Sequence, residues 1–173
     1  MADEREALFQ RWLRDHLGLI MKIVRGCTSS AHDQDDLLQD VLTNLWSSIP
    51  AFRGDAKETT WIYRVSFNTA LAWRRGEHRR KRRAFAFLKR AVPNGAPTIA
   101  PQEIDSKSPI EHLYDAIREL SKVDASLAIM HLDGLSYQEM ADVVGISENY
   151  VGVKLNRIRK QLADRLKGVF DDV

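Results

Sequence analysis

The sequence predicts an all-α protein: two small helical domains, residues 1–90 and 109–173, on either side of a flexible linker at 91–108. Apolar residues recur at helical spacing on both sides of that linker, with hardly any of the period-two alternation of a strand. Four of the five prolines, Pro93, Pro97, Pro101 and Pro109, fall within VPNGAPTIAPQEIDSKSP together with Asn94-Gly95, a stretch without apolar periodicity. The segment from Gly134 to Lys160 reads as two short helices joined by a glycine turn, the second far more basic than the first. A chain of 173 residues can hold two such domains, each with a modest core.

In the first half, helices are expected at about 4–26, 34–48 and 60–88. The second of these sets Leu37, Leu38, Val41, Leu42, Leu45 and Trp46 on one side and Asp36, Gln39, Asp40, Thr43 and Asn44 on the other. Asp33, Asp35 and Asp36 fall at its cap and first turn, where carboxylates stabilise the helix dipole, so this cluster is read as structural rather than as a metal site. No H-x-x-x-H or E-x-x-H pattern accompanies it. Asp40 and Gln39 remain as outward polar contacts for another protein. The third helix is expected to be capped by Thr59 or Thr60, to bury Ile62, Val65, Thr69 and Ala72, and to end in the arginine cluster from Arg74 to Arg83. Aromatic rings among arginines suit single-stranded nucleic acid, where bases stack on rings and cations follow the backbone.

In the second half, helices are expected at about 109–120, 123–132, 136–144 and 148–168. Ser136 and Glu139 form an S-x-x-E capping box, after which Tyr137, Met140, Ala141 and Val144 share one face. Gly145 supplies a position tolerant of positive φ, Ile146 plugs the corner, and Ser147 caps the last helix. That helix turns Val151, Leu155, Ile158 and Leu162 inward and Asn149, Lys154, Asn156, Arg157 and Lys160 outward. Such a helix-turn-helix makes duplex DNA the first partner to consider.

Net charge is only +2, but its distribution is uneven. Residues 61–90 hold 10 basic and 1 acidic side chains and residues 149–170 hold 6 and 1, whereas 91–148 hold 3 and 10. Two basic blocks separated by an acidic one imply two places where phosphates are neutralised. The single cysteine, Cys27, excludes an intramolecular disulfide and fits a reducing cytoplasm. The opening MADERE is too acidic for a signal peptide, and the run Leu17 to Val24 is short and broken by Lys22, so no membrane insertion is expected.

Together these residues resemble a bacterial RNA polymerase sigma factor of the sigma-70 family, in its small two-domain extracytoplasmic-function (ECF) group. Asp35-Asp36-Leu37-Leu38-Gln39-Asp40-Val41 with Leu45-Trp46 looks like region 2.2, which in the family meets the clamp helices of the polymerase β′ subunit. Phe52-Arg53-Gly54, Thr60-Trp61-Ile62-Tyr63-Arg64-Val65 and Asn68-Thr69-Ala70 resemble regions 2.3 and 2.4, which melt and read the minus-10 element. Gly134 to Ser147 is similar to region 4.2, which reads the minus-35 element as duplex.

The resemblance implies a promoter-specificity subunit without catalysis or cofactor, built of a region 2 bundle and a region 4 helix-turn-helix. It assigns polymerase binding to Asp36, Gln39, Asp40 and Asn44. Minus-10 contacts fall to Arg53, Trp61, Tyr63, Arg64, Asn68, Arg74, Arg75, Arg79 and Arg80. Minus-35 contacts fall to Ser147, Asn149, Tyr150, Val153, Lys154, Asn156, Arg157 and Lys160. Implied partners are core RNA polymerase, through its β′ clamp helices and β flap, promoter DNA, and an anti-sigma factor. Two positions depart from the family: Gly152 stands where a cation is usual and Val153 where a small polar residue is usual. Two rival readings are a helix-turn-helix regulator acting on duplex DNA without replacing sigma, and a metal-dependent phosphohydrolase using the aspartate cluster.

Overall fold

A computed structural model describes residues 2–91 and 108–167, with side chains described except at Ala2, Arg74 and 77–91. All regular structure among these residues is helical: α1 (Ala2–Cys27), α2 (Ala31–Ser48), a 3-10 turn (Ile49–Ala51), α3 (Glu58–Ala91), α4 (Pro109–Arg118), α5 (Lys122–Leu132), α6 (Tyr137–Val144) and α7 (Glu148–Leu166). The expected linker lies, from residue 92 to 107, outside the described residues. Among the described residues no helix is long and apolar enough to cross a membrane.

Helices α1, α2 and α3 form one bundle, each giving a single stripe to its core. Trp12, Leu19, Ile20, Ile23 and Val24 come from α1, Leu37, Val41 and Leu45 from α2, and Ile62, Tyr63, Phe67 and Ala70 from α3, all buried. Helix α2 starts at Ala31, earlier than its aspartates suggest, because Ser30 is the N-cap and its hydroxyl accepts from the Asp33 N–H at 3.1 Å. Helix α3 starts at Glu58, where the Trp61 N–H closes the first turn on the Lys57 carbonyl at 3.1 Å. Thr59 and Thr60 therefore lie inside the helix rather than at its cap, and Thr60 is buried.

The face α3 buries also differs from the expected one. Ile62 and Thr69 are buried, but Val65 is half-buried and Ala72 exposed, while Tyr63, Ser66, Phe67 and Ala70 are enclosed. The reason is tertiary. Helix α3 packs against α1 and α2 on one side and against α6 on another, so the apolar arc is wider than one contact would require.

In the second half α5 is the central element. Its residues from Ala125 to Met130 are all buried, because α1, α4, α6 and α7 surround it. A helix enclosed on every side has no polar face to show. Helix α4 opens with a capping box, Ser108 with Glu111, and proline at its first position.

The two halves share one continuous apolar core. Gly26, near the end of α1, faces Ile129 so closely that a Cβ there would overlap the Ile129 Cδ1 unless that side chain shifted. Polar contacts also join the halves: Arg118 donates to the Arg25 carbonyl at 2.8 Å and Lys57 pairs with Glu139 at 2.7 Å.

Candidate nucleic-acid interface

The helix-turn-helix is assembled from local chemistry. Ser136 accepts from the Glu139 N–H at 3.2 Å and its own N–H donates to Glu139 Oε2 at 2.9 Å, completing the capping box. Glu139 also takes the Lys57 ammonium. That bond first, then the Ser136 N–H and hydroxyl, pull its carboxyl down to about 2. Gly145 ends α6 with φ +76°, in the left-handed region, and its N–H bonds to the Ala141 carbonyl at 2.8 Å. Ser147 then caps α7 by accepting from the Tyr150 N–H at 3.3 Å, which commits its hydroxyl to the helix start. Val151, Leu155 and Ile158 are buried and Leu162 half-buried, as the periodicity predicts.

The outward side of α7 presents Asn149, Tyr150, Val153, Asn156, Arg157 and Lys160, all exposed. Lys154 behaves differently. Its ammonium pairs with Asp124 of α5 at 2.8 Å and lies 5.4 Å from the centre of the Tyr150 ring. Burial works to raise the Asp124 carboxyl, but hydrogen bonds from Lys154 and Ser121 outweigh it and hold the group below its ordinary value. Lys154 thus braces α7 against α5. A thermal double-mutant cycle of Lys154→Met and Asp124→Asn should show coupling on the order of 0.5–3 kcal/mol, and strict additivity would contradict the brace. Gly152 packs on α6: a Cβ there would lie 3.4 Å from Tyr137 Cε2.

The first half contributes a second surface along α3. Trp61, Arg64, Asn68 and Arg75 stand at i, i+3, i+7 and i+14 and so share one face of the helix. Arg64, Asn68 and Arg75 are exposed, as is Arg53 in the preceding loop. The side chains of Arg74, Arg79 and Arg80 lie outside the described ones. Trp61 is half-buried: it closes an aromatic run with Phe52 and Trp12, at ring separations of 5.6 and 5.4 Å, and its indole N–H donates to Ser48 Oγ at 3.1 Å.

Tyr63 is on the opposite side of α3, fully buried, with its hydroxyl donating to Asp133 Oδ2 at 2.5 Å. Asp133 caps the end of α5 and also takes the Lys22 ammonium from α1. Burial and then the Asp133 bond push the Tyr63 phenol upward, so it stays a proton donor. Burial would likewise raise Asp133, but hydrogen bonds from Lys22 and Tyr63 outweigh it and hold the carboxyl below its ordinary value. Arg64 donates to the Asp142 carbonyl of α6 at 2.6 Å. In this arrangement Tyr63 and Arg64 are therefore both occupied by the second half. No pattern in the sequence singles out Asp133, whose partners lie 111 and 70 residues away.

On α2, Gln39, Asp40 and Asn44 are exposed and Asp36 is half-buried, 3.7 Å from His32 one turn earlier. They form one polar strip, with Asn44 anchored by donating to Thr69 Oγ1 of α3 at 3.0 Å. Among the described residues no group of three His, Cys, Asp or Glu side chains is placed to hold a metal ion.

Comparison with known proteins agrees with this two-part layout. The profile of Sigma-70 region 2 matches residues 12–83 and that of Sigma-70, region 4 matches residues 110–162. The chain is 27% identical to the ECF RNA polymerase sigma factor SigG of Mycobacterium tuberculosis, over 95% of its own length and 52% of that protein. It thus spans about half the length of SigG. It is 24% identical to the ECF RNA polymerase sigma-E factor of Haemophilus influenzae, over 92% of its own length and 86% of that protein. The fold is similar to that of the sigma factor RpoE of Bartonella quintana, solved in complex with the anti-sigma factor NepR. There the TM-score is 0.66 at 21% identity, with 92% of this chain and 97% of the other covered.

Proposed function

The chain belongs to the sigma-70 family of RNA polymerase sigma factors, in its ECF group, and from that premise we propose that it binds core RNA polymerase and directs initiation at promoters. It does so without a catalytic step of its own, reading minus-35 as duplex and minus-10 as melted strand. Support comes from two surfaces in one chain: the exposed polar side of α7 on a capped helix-turn-helix, and the Trp61, Arg64, Asn68 and Arg75 strip of α3. Asparagine and arginine on the first can form bidentate contacts with base edges in the major groove. Rings and cations on the second suit unstacked bases, and holding those bases offsets the cost of unstacking.

The strip Asp36, Gln39, Asp40 and Asn44 is the polymerase contact. Asp40→Ala is expected to weaken co-elution with core polymerase by several-fold while leaving the thermal midpoint unchanged, because an exposed side chain contributes little to folding. An equal affinity would remove Asp40 from the interface. Because Tyr63 and Arg64 are held by Asp133 and the Asp142 carbonyl, their use on DNA requires the halves to separate. Engagement of polymerase supplies that separation. The solved complex of the Bartonella protein with NepR supports an anti-sigma factor as a further partner here.

Binding assays distinguish this function from that of a regulator acting on duplex alone. Preference for unpaired minus-10 strand in the presence of core supports a sigma subunit. Tight duplex binding without core, and no preference for the unpaired strand, would favour the regulator.

A further inference from the structure

Helix α7 carries an apolar patch on its exposed outward side. Val153 is 58% exposed and Tyr150 48%, one turn apart on the outward side. Val153 offers no hydrogen-bond donor or acceptor, and it sits between Asn149 and Asn156, in the half of a recognition helix that reaches base edges. The residues directly before and after it in sequence supply no free cation. Gly152 has no side chain, and a Cβ there would point at the Tyr137 ring, while Lys154 is turned back onto Asp124. The residues flanking Val153 therefore bring no cationic fork onto guanine, the commonest specific contact in the major groove, to the base it meets; the nearest exposed arginine, Arg157, is one turn on. What remains at Val153 itself is an aliphatic group between two asparagines, with Arg157 and Lys160 one to two turns further on.

One base feature in the major groove is complementary to an aliphatic side chain: the C5-methyl of thymine. Resting on the minus-35 reading above, we propose that Val153 selects a thymine in the minus-35 element by contact with its C5-methyl. The Tyr150 ring flanks that contact. Asn149 or Asn156 reads a neighbouring adenine through its N6 and N7 edge. The minus-35 element of this protein is thereby read as A·T-rich at its centre.

The test uses the full chain with core polymerase. A promoter is first selected by this holoenzyme from DNA randomised across minus-35. Each minus-35 thymine is then replaced by deoxyuridine, which removes the methyl and nothing else. At one thymine the affinity is expected to fall about fourfold, the weight of one buried carbon. Val153→Ser, an exposed change whose fold is checked by circular dichroism, should bind thymine and deoxyuridine equally at that position. Full sensitivity retained in Val153→Ser, or no thymine whose methyl matters, would overturn the proposal while leaving the sigma function intact. Failure to select any promoter, with no binding to core, would sink the sigma function itself and this proposal with it.

Discussion

Replacing Asp133 by alanine is expected to part the two halves of the free protein. The change removes the acceptor shared by Lys22 of α1 and Tyr63 of α3, and leaves the Tyr63 hydroxyl buried without its partner. Such an orphaned group costs about 1–3 kcal/mol, which is large against the stability of a small domain. The halves can escape that cost by opening, since the tyrosine then reaches water. A donor and acceptor dye pair placed on α2 and α7 should therefore report a longer mean distance, together with a lower thermal midpoint. Unchanged distance and midpoint would show that the shared acceptor does not hold the halves together.

The same carboxylate contributes to the pH dependence, beside Glu139, which the Lys57 ammonium of the other half helps hold down to about 2. Asp133 is held below its ordinary value, so its contribution to closure is fully present above that value, about 4, and is lost as pH falls through the lowered value of the closed form. Closure should be flat through neutral pH and weaken in acid, and it should weaken again above about 10, where an open-form phenol ionises but the raised Tyr63 phenol does not. Asp133→Asn, which keeps one acceptor oxygen but loses the charge, should fall between wild type and alanine.

On the proposed function, Ala141→Phe is expected to weaken promoter-directed binding strongly while sparing attachment to polymerase through α2. Ala141 is buried where α6 meets α7, and its carbonyl takes both the Gly145 N–H at 2.8 Å and the Ile146 N–H at 3.3 Å. A ring placed there must push α7 away from α6, at a cost of about 1–3 kcal/mol and with loss of the angle that seats α7 in a groove. Promoter affinity of the holoenzyme should drop by roughly tenfold or more, the equivalent of about 1.4 kcal/mol. Core co-elution should stay within about twofold, because fewer than 0.5 kcal/mol should reach the exposed α2 strip. Equal loss of both activities would mean that the halves do not act as separable contacts.

Local signals in the sequence were reliable wherever the chemistry was itself local. The Ser136–Glu139 box, Gly145 at positive φ, the Ser147 cap and the Val151, Leu155 and Ile158 stripe all follow from residues within a few positions of each other. Contacts between distant elements were not legible. Lys154 reads as a DNA contact on a helical wheel, and only the approach of α5 reveals Asp124 as its partner, 30 residues earlier. Tyr63 reads as one more aromatic of a strand-binding surface, yet it faces away from Trp61 because successive helical residues are about 100° apart. The misplaced cap at Thr59 or Thr60 has a similar origin, since burial of Thr60 in the packed bundle overrides its preference for a helix start.

Run-off transcription with sigma-free core reads out whether this chain confers promoter specificity on RNA polymerase. Added to core on templates carrying its selected promoter, the protein should yield one discrete transcript, absent without it and absent on a template whose minus-35 element is scrambled. No specific transcript, together with no co-elution with core, would contradict a sigma role for this chain.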